Sequence, residues 1–247
     1  MRDVSYGHYT SILVDQDGAR GLTAHLERLD RDARVVFGHG IDGALVRERV
    51  RDALRGQELP ANVRVTVFAR DATPGRVVDL QPPDIAVTVR TVQPRQGPSP
   101  RVRSAVYSRY LPEVKHIGTF SLYHQVRLAQ QAGYDDVVFV DEHGRVSEGS
   151  FWNIAFHDGS KIIWPDAPAL PGVEMTTLRA GLLALGIPDE RGAVTLAQLR
   201  GFRSAFRTNA ISGPVPIASI DDVVFRPDPE CAALLKAAQQ AVPGEAL

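Results

Sequence analysis

The sequence contains a single cysteine, almost no net charge and no long apolar run. Cys231 cannot form a disulfide within the chain, and one thiol cannot build a cysteine-rich metal site. The 28 Lys and Arg residues nearly balance the 29 Asp and Glu residues, so no overall positive field attracts nucleic acid. No apolar stretch reaches the roughly 18 residues of a membrane-spanning helix, and the N-terminal MRDVSYGHYT lacks the apolar run of a signal peptide. We therefore expect a cytoplasmic protein without a membrane or nucleic-acid partner.

Several common catalytic signatures are missing as well. The sequence has no GxSxG nucleophile elbow, no GxxxxGK[ST] phosphate loop and no HExxH zinc motif. Its seven histidines lack the spacing of metal ligands, so we predict no metal site. What is present is a chain of 247 residues with 44% hydrophobic content, which is enough for one large domain or two modest ones.

The densest loop signal in the chain is the stretch QPRQGPSPRVRS at residues 93–104. Its three prolines and one glycine disfavour both helix and strand. We therefore place a domain boundary here, between a small N-terminal domain at residues 1–100 and a larger domain at residues 105–247.

Apolar spacing and turn residues predict mixed α and β structure on both sides of this boundary. Thr23 is predicted to cap the first helix, in which Leu26, Leu29, Ala33 and Val36 form one apolar face. The predicted strands lie at residues 9–14, 63–69, 85–92, 136–140, 152–156, 161–164, 205–208 and 215–220. The predicted helices lie at residues 24–38, 42–54, 119–132, 173–185 and 229–241.

Four segments carry the residues with a predicted chemical role. They are AHLERL at residues 24–29, VKH at residues 114–116, DEHGRVSEGSFWN at residues 141–153 and LPGV at residues 170–173. In this order and spacing they resemble the class IV aminotransferase family, which includes branched-chain and D-amino acid aminotransferases and aminodeoxychorismate lyase. The third segment, which is similar to the family's D-x-x-G-x-V-x-E-G-x-x-x-N stretch, is the most specific of the four.

The resemblance implies that pyridoxal 5'-phosphate (PLP) is the cofactor and that Lys115 binds it through a Schiff base. It also implies that Arg28 holds the cofactor phosphate and that Glu148 contacts the pyridine nitrogen. The turn that contains Leu170, Gly172 and Val173 is implied as a second phosphate contact.

These residue types suit that chemistry, because PLP acts as an electron sink while the protein holds it and sets its protonation. A lysine amine must be neutral to attack, a state that desolvation or a nearby cation favours. A carboxylate such as Glu148 would keep the ring nitrogen protonated, and Arg28 can form a bidentate contact with phosphate. The helix that begins at Val173 offers unpaired N–H groups to the same anion.

The C-terminal phosphate loop departs from the family pattern. Residues 208–217 read TNAISGPVPI, where many aminotransferases have a sequence similar to TGTAAEVTPV. Ala210 therefore stands where a phosphate-binding hydroxyl is usual, and we retain Thr208, Asn209 and Ala210 as predicted cofactor contacts. The Asn209-Ala210 step resembles the lyase branch, as does Lys115 followed by histidine.

Candidates for substrate contact are fewer. Residues 6–10, YGHYT, are a degraded form of the family's YGxG[VL]FE element, from which we take Tyr9 as substrate-facing. Arg70 and Arg109 are the cations that could meet a substrate carboxylate. Phe120 stands where branched-chain members carry a tyrosine. Glu174 follows the LPG turn, so its charge would oppose phosphate binding unless the side chain points away.

The resemblance implies an α+β, two-domain fold of the D-amino acid aminotransferase type, with a small α/β sandwich domain. The larger β-rich, pseudo-barrel domain would carry Lys115 and Glu148, and the family's shared sites imply a homodimer. We predict an aminotransferase that moves an amino group between an amino acid and a 2-oxo acid through the Lys115 Schiff base. Two alternatives stay open: an aminodeoxychorismate lyase-type enzyme that releases pyruvate, and a catalytically inactive PLP-fold binding protein. The short N-terminus and the altered phosphate loop motivate the second alternative.

Overall fold

The computed structural model describes residues 6–78, 80–92 and 97–247. The chain divides into two compact units. The first comprises Met1–Pro94, Val114–Thr119 and Pro243–Leu247, and the second comprises Arg95–Glu113 and Phe120–Val242. Within the described ranges, no helix combines the length and the apolar character that a membrane crossing requires.

The first unit is an antiparallel sheet covered by two helices. Its elements are β1 (Gly7–Asp15), β2 (Gly18–Ala19), α1 (Leu22–Phe37), α2 (Gly43–Leu54), β3 (Ala61–Phe68) and β4 (Asp84–Thr91). The strand order is β2-β1-β3-β4, with every neighbour antiparallel. Burial alternates along β3, so its small apolar residues face the helices while its polar residues face the other side of the sheet.

Apolar residues at helical spacing hold α1 and α2 on this sheet. Leu22 and Leu29 of α1 pack in one cluster with Val46 and Val50 of α2 and with the inward residues of β1 and β3. The predicted helix cap at Thr23 is wrong. The N-cap of α1 is Gly21, in the left-handed conformation at φ 60°.

The second unit contains two five-stranded sheets and three α-helices in its described part. Its elements are β5 (Arg101–Val106), α3 (Phe120–Gln131), β6 (Asp136–Val140), β7 (Val146–Gly149), β8 (Asn153–His157), β9 (Ile162–Pro165), α4 (Val173–Ala184), β10 (Asp189–Gly192), a 3-10 helix (Leu196–Gly201), β11 (Ser204–Asn209), β12 (Gly213–Pro216), β13 (Ser219–Ile220), β14 (Val223–Val224) and α5 (Pro229–Gln240). The sheet orders are β10-β9-β8-β11-β12 and β14-β13-β5-β6-β7.

The core of this unit joins the two sheets and the helices α4 and α5. One cluster places Val138 of β6 with Ile154 and Phe156 of β8. A second places Leu178 of α4 and Leu235 of α5 with apolar residues of β8, β9 and β11. The predicted site residues of this unit are therefore attached to strands and turns that pack on a dense interior.

Most predicted elements are present, with two corrections. Residues 101–104, predicted as loop, begin β5, because their backbone pairs with β6 and β13. Residues 215–220, predicted as one strand, split between β12 and β13, which pair in different sheets. Residues 93–96 of the predicted linker lie outside the described ranges.

Candidate active site

Lys115 lies in an irregular segment whose backbone is fixed by two elements of the first unit. Its carbonyl accepts a hydrogen bond from the Tyr9 N–H of β1 at 2.9 Å, and its own N–H donates to Asp32 Oδ2 of α1 at 2.9 Å. The segment Val114–Thr119 consequently belongs to the first unit. This differs from the prediction that the larger domain carries Lys115, because backbone hydrogen bonds to sequence-distant elements decide its neighbours.

The Tyr9 ring lies beside two cationic side chains. Arg64 Cζ lies 3.7 Å from the ring centroid and Lys115 Nζ lies 4.9 Å from it. Both distances fall within the range of cation–π attraction. Tyr9 is buried and therefore forms one wall next to the lysine amine. Arg64 is not among the sequence candidates, although the strict alternation of β3 indicates that it faces away from the apolar core.

Arg28 is buried in a hydrogen-bonded chain with Thr10 and His25. Arg28 Nη2 donates to Thr10 Oγ1 at 2.6 Å, and Thr10 Oγ1 lies 2.6 Å from His25 Nδ1. The Thr10 hydroxyl accepts a hydrogen bond from Arg28 and donates one to an unprotonated His25 Nδ1, in which case the neutral ring carries its proton on Nε2. These two hydrogen bonds fix the orientation of the Arg28 guanidinium. Thr10 and His25 are therefore the side chains that hold the predicted phosphate-binding residue in place.

Two buried histidines in this group are kept neutral. Burial is the main reason that the pKa of His25 lies well below its usual value, and the charges of Arg28 and Lys115 lower it further. Burial also lowers the pKa of His8 to about 4, against the opposing charge of Asp32. The Nε2 atom of His25 and both ring nitrogens of His8 are buried without a hydrogen-bond partner among the described residues. Each neutral ring therefore has polar atoms that remain to be satisfied by something else.

Glu148 and Arg109 form a buried pair in the second unit. Arg109 Nη1 lies 3.5 Å from Glu148 Oε1, and the Leu170 backbone N–H donates to Glu148 Oε2 at 3.1 Å. Both side chains are less than one-tenth exposed. Arg109, predicted as a substrate cation, thus lies against the predicted ring-nitrogen partner.

The turn before α4 is held by Asn153 of β8. Asn153 Nδ2 donates to Leu170 O at 2.8 Å, and a Cβ at Gly172 would overlap the Asn153 amide oxygen. Glycine is therefore required at this close approach. Gly172 is the N-cap of α4 and makes no side-chain cap hydrogen bond. The side chain of Glu174 accepts a hydrogen bond from Gln239 Nε2 of α5 at 2.6 Å, as expected if it points away from a bound anion.

The loop after β11 uses its asparagine to shape itself. Asn209 Oδ1 accepts hydrogen bonds from Ile211 N at 3.0 Å and from Ser212 N at 2.9 Å. The Thr208 hydroxyl, by contrast, is fully buried and has no hydrogen-bond partner among the described residues. Of the three predicted contacts here, Thr208 is the side chain with an unsatisfied polar atom, and Ala210 offers only its backbone.

Arg70 does not join either group. Its Nε atom lies 2.8 Å from Asp84 Oδ2, and its side chain is 59% exposed. An exposed ion pair of this kind contributes little stability. The structure gives Arg70 a surface position, and its predicted contact with substrate stays a prediction.

A separate cluster in the second unit joins His157, Asp228 and Cys231. Asp228 Oδ2 accepts hydrogen bonds from His157 Nδ1 at 2.8 Å and from Ser204 Oγ at 2.9 Å, and Arg203 Nε lies 3.4 Å away. Asp228 is also the N-cap of α5. Asp228 therefore caps α5 and accepts hydrogen bonds from two further side chains, and burial raises the pKa of the Cys231 thiol to about 12.

Comparisons with known proteins agree with this architecture. The family model described as amino-transferase class IV matches residues 7–220. A search of curated proteins finds no match. A provisional 4-amino-4-deoxychorismate lyase from Legionella pneumophila has a similar structure, with a TM-score of 0.86, 18% identity, and coverage of 96% of this chain and 91% of that one.

Two aminotransferase structures are similar as well. The branched-chain aminotransferase of Thermoproteus uzoniensis has a TM-score of 0.86 and 20% identity, covering 96% of this chain and 85% of that one. The PLP-bound form of a hypothetical aminotransferase from Mycobacterium tuberculosis has a TM-score of 0.82 and 18% identity, covering 96% and 89%. These likenesses confirm the predicted α+β, fold-type IV architecture.

Proposed function

This chain belongs to the amino-transferase class IV family, and we propose that it is an aminotransferase that binds PLP covalently through Lys115. It is an enzyme of that family, and pyridoxal phosphate is the cofactor the family uses. The observation that carries the proposal is the placement of Lys115 and Arg28 in one polar cluster of the first unit, close to two buried, neutral histidines.

The polar atoms of this chain fit such a cofactor. Arg28 supplies a buried cation, and the buried nitrogens of His8 and His25 lack partners among the described residues. The Thr208 hydroxyl lacks one as well. Unsatisfied buried donors are costly unless a ligand completes them. A phosphate ester, which accepts several hydrogen bonds, is a ligand of the required kind.

Each group of this chain then has a distinct role. Arg28 would bind the phosphate, with its guanidinium held by Thr10. In the second unit, the N-terminus of α4 has backbone N–H groups of the kind that suit an anion. Glu148 would supply the negative charge for the ring nitrogen. When bound, PLP supplies an electron sink for the pair of electrons left at the Cα of an amino acid. Lys115 Nζ would accept the Cα proton as general base and return it as general acid.

A lyase of the aminodeoxychorismate type is the second candidate. It is favoured by the dipeptide Asn209-Ala210 and by His116 after the lysine, and one of the similar structures is a provisional lyase. Both reactions need the same Cα proton transfer at Lys115. The residues described above therefore serve either one, and the choice depends on how the leaving group is held.

Product analysis separates the two candidates. Cofactor-loaded enzyme is incubated with single amino acids of each hand and with several 2-oxo acids, and in parallel with aminodeoxychorismate, with Lys115→Ala as the control. An aminotransferase yields the 2-oxo acid that matches the amino donor. If no amino acid reacts while aminodeoxychorismate gives pyruvate, the lyase assignment replaces ours. If neither product forms although PLP is bound, both proposed reactions are rejected.

We further propose that the enzyme is a homodimer. In the second unit, Val106, Tyr110, Phe120 and Tyr123 are all more than three-fifths exposed in the single chain. A contiguous patch of exposed apolar side chains is typical of a protein interface, and Phe120 and Tyr123, three positions apart on α3, lie on one face of that helix. Sedimentation velocity should therefore give twice the mass of one chain, and Phe120→Glu should shift it toward one chain. The cytoplasmic location stays a prediction.

A further inference from the structure

Asp32 is a buried acid next to the lysine segment. It lies on α1, four residues after Arg28 and seven after His25, so these three side chains occupy one face of the helix. It is 1% exposed, and in the described part of the first unit no other aspartate or glutamate is buried. A buried carboxylate is retained only where charges or hydrogen bonds compensate it.

The two carboxylate oxygens of Asp32 have different partners. Oδ1 accepts a hydrogen bond from Arg31 Nη2 at 2.8 Å, and Oδ2 accepts one from the backbone N–H of Lys115 at 2.9 Å. The second bond joins residues 83 positions apart in the sequence. A hydrogen bond to a charged acceptor is stronger than one between neutral groups.

The Lys115 backbone has no regular secondary structure of its own to hold it. Its carbonyl is bound by the Tyr9 N–H of β1, and its N–H is bound by Asp32 of α1. Both backbone polar groups of the lysine are thereby fixed between a strand and a helix. The starting point of the lysine side chain is set by these two contacts, of which the Asp32 contact is made by a side chain and can be removed by substitution.

We propose that Asp32 is a positioning residue for Lys115, which it holds by the backbone amide so that the lysine amine meets the cofactor in a fixed orientation. This role rests on the proposed function of Lys115. It assigns to Asp32 no contact with the cofactor and no proton transfer. Its effect is to limit the orientations of the lysine. Because fewer orientations have to be sampled, the covalent link between PLP and the lysine amine forms faster.

Three variants test the proposal. Asp32→Ala removes the acceptor, Asp32→Asn keeps an oxygen acceptor without the charge, and Asp30→Asn is the matched control on the same helix, where Asp30 pairs with Arg34 nearer the surface. The first measurement is hydrogen exchange of the Lys115 amide in cofactor-free protein. The second is the rate at which PLP becomes fixed to Lys115 under borohydride.

We expect the Lys115 amide to exchange about tenfold faster or more in Asp32→Ala, as for the loss of a charge-assisted hydrogen bond. Fixation of PLP should slow by a similar factor, with Asp32→Asn intermediate and Asp30→Asn like wild type. Binding of pyridoxamine 5'-phosphate, which cannot link to the lysine, should change by less than about twofold, because phosphate contacts are untouched.

Unchanged amide exchange and fixation rate in Asp32→Ala would overturn the proposal. If Asp32→Ala does not fold, Asp32→Asn decides. The proposal is then overturned if Asp32→Asn and Asp30→Asn give the same amide exchange and the same fixation rate. Weakened binding of pyridoxamine 5'-phosphate in parallel with the fixation rate would also contradict it, because that pattern indicates general disruption. Should wild type fix no PLP at Lys115, the proposed function fails, while amide exchange still tests the contact with Asp32.

Discussion

Arg109 Nη1 lies 3.5 Å from Glu148 Oε1, with both side chains buried in the second unit. The pair joins two residues that the sequence assigns to different roles, substrate recognition and contact with the cofactor ring. Breaking a buried pair by removing one partner typically costs about 3–5 kcal/mol, since the other charge is left uncompensated. Arg109 therefore supports the Glu148 carboxylate, whatever further contact it makes with substrate.

The first prediction concerns the charge of Glu148. In Glu148→Gln the carboxylate charge is lost, while an oxygen remains to accept the hydrogen bond from Leu170 N–H. We expect cofactor to be retained and turnover to fall by at least ~10²-fold, on the scale of losing a well-placed electrostatic contact. Steady-state kinetics and the bound PLP content measure this. Glu142→Gln in the neighbouring exposed turn is the control, and near-normal turnover in Glu148→Gln would reject the role.

Arg28 should carry a large share of phosphate binding, because Ala210 provides no hydroxyl. Losing one charge-assisted contact costs about 1.5–3 kcal/mol, or roughly one to two decades in affinity. We expect Arg28→Ala to need more PLP by this factor, with excess cofactor restoring much of the activity. A fluorescence titration with PLP measures the affinity. Arg34→Ala, at an exposed position of the same helix, should titrate like wild type, and an identical curve for Arg28→Ala would exclude the contact.

Removing the Thr208 hydroxyl should stabilise the cofactor-free protein but weaken its binding of PLP. This hydroxyl is buried without a partner among the described residues, and valine has nearly the same shape. Without cofactor, the free energy of unfolding of Thr208→Val should exceed that of wild type by about 1–2 kcal/mol, because an unsatisfied buried hydroxyl is removed. With cofactor, PLP affinity should fall. Urea unfolding and PLP titration measure the two effects, with Thr91→Val, at an exposed position of β4, as control. Unchanged PLP affinity in Thr208→Val would show that Thr208 contacts no phosphate.

His8 makes folding sensitive to acid. Burial chiefly holds its pKa at about 4 instead of 6.5, with Asp32 opposing the shift and Arg28 adding to it. The unfolded chain therefore takes up a proton near pH 6.5 that the folded chain takes up only near pH 4. Stability is lost as the pH falls through this window, by about 2–3 kcal/mol between pH 7 and pH 4.5.

Replacing His8 should remove that part of the acid sensitivity. We expect the difference in unfolding free energy between pH 7 and pH 4.5 to be smaller in His8→Gln than in wild type by about 2–3 kcal/mol, measured by urea unfolding of cofactor-free protein. His143→Gln, at an exposed turn, should keep the wild-type difference. An equal pH dependence in His8→Gln would mean that His8 titrates normally.

Local sequence signals explain much of the fold. The Pro171-Gly172 step before an apolar helix predicts where α4 begins, and the Asp158-Gly159 step predicts the hairpin between β8 and β9. Both signals act over a few neighbouring residues. Thr23 shows the limit of such reasoning: it lies inside α1, where its backbone N–H donates to Glu245 Oε1 at 3.1 Å. The group that satisfies this end of the helix is remote in sequence.

The same limit applies to the candidate site. Residue type and spacing identify Arg28, Lys115 and Glu148, but not the side chains that hold them. The partners of Lys115 come from β1 and α1, and Arg109 meets Glu148 across 39 positions. Only the folded backbone brings these groups together. Spacing of three and four residues places Asp32 with Arg28 on one helix face, but an aspartate in a helix gives no sign by itself that it faces inward.

The central claim is that Lys115 carries the cofactor, and borohydride trapping tests it most directly. The purified protein is loaded with PLP, reduced with borohydride, digested and analysed by peptide mass spectrometry. We predict that the reduced cofactor is found on the peptide containing Lys115, and that Lys115→Ala yields no labelled peptide at any lysine. A reducible link of equal yield in Lys115→Ala, or a label on Lys161 or Lys236 in wild type, would contradict the account.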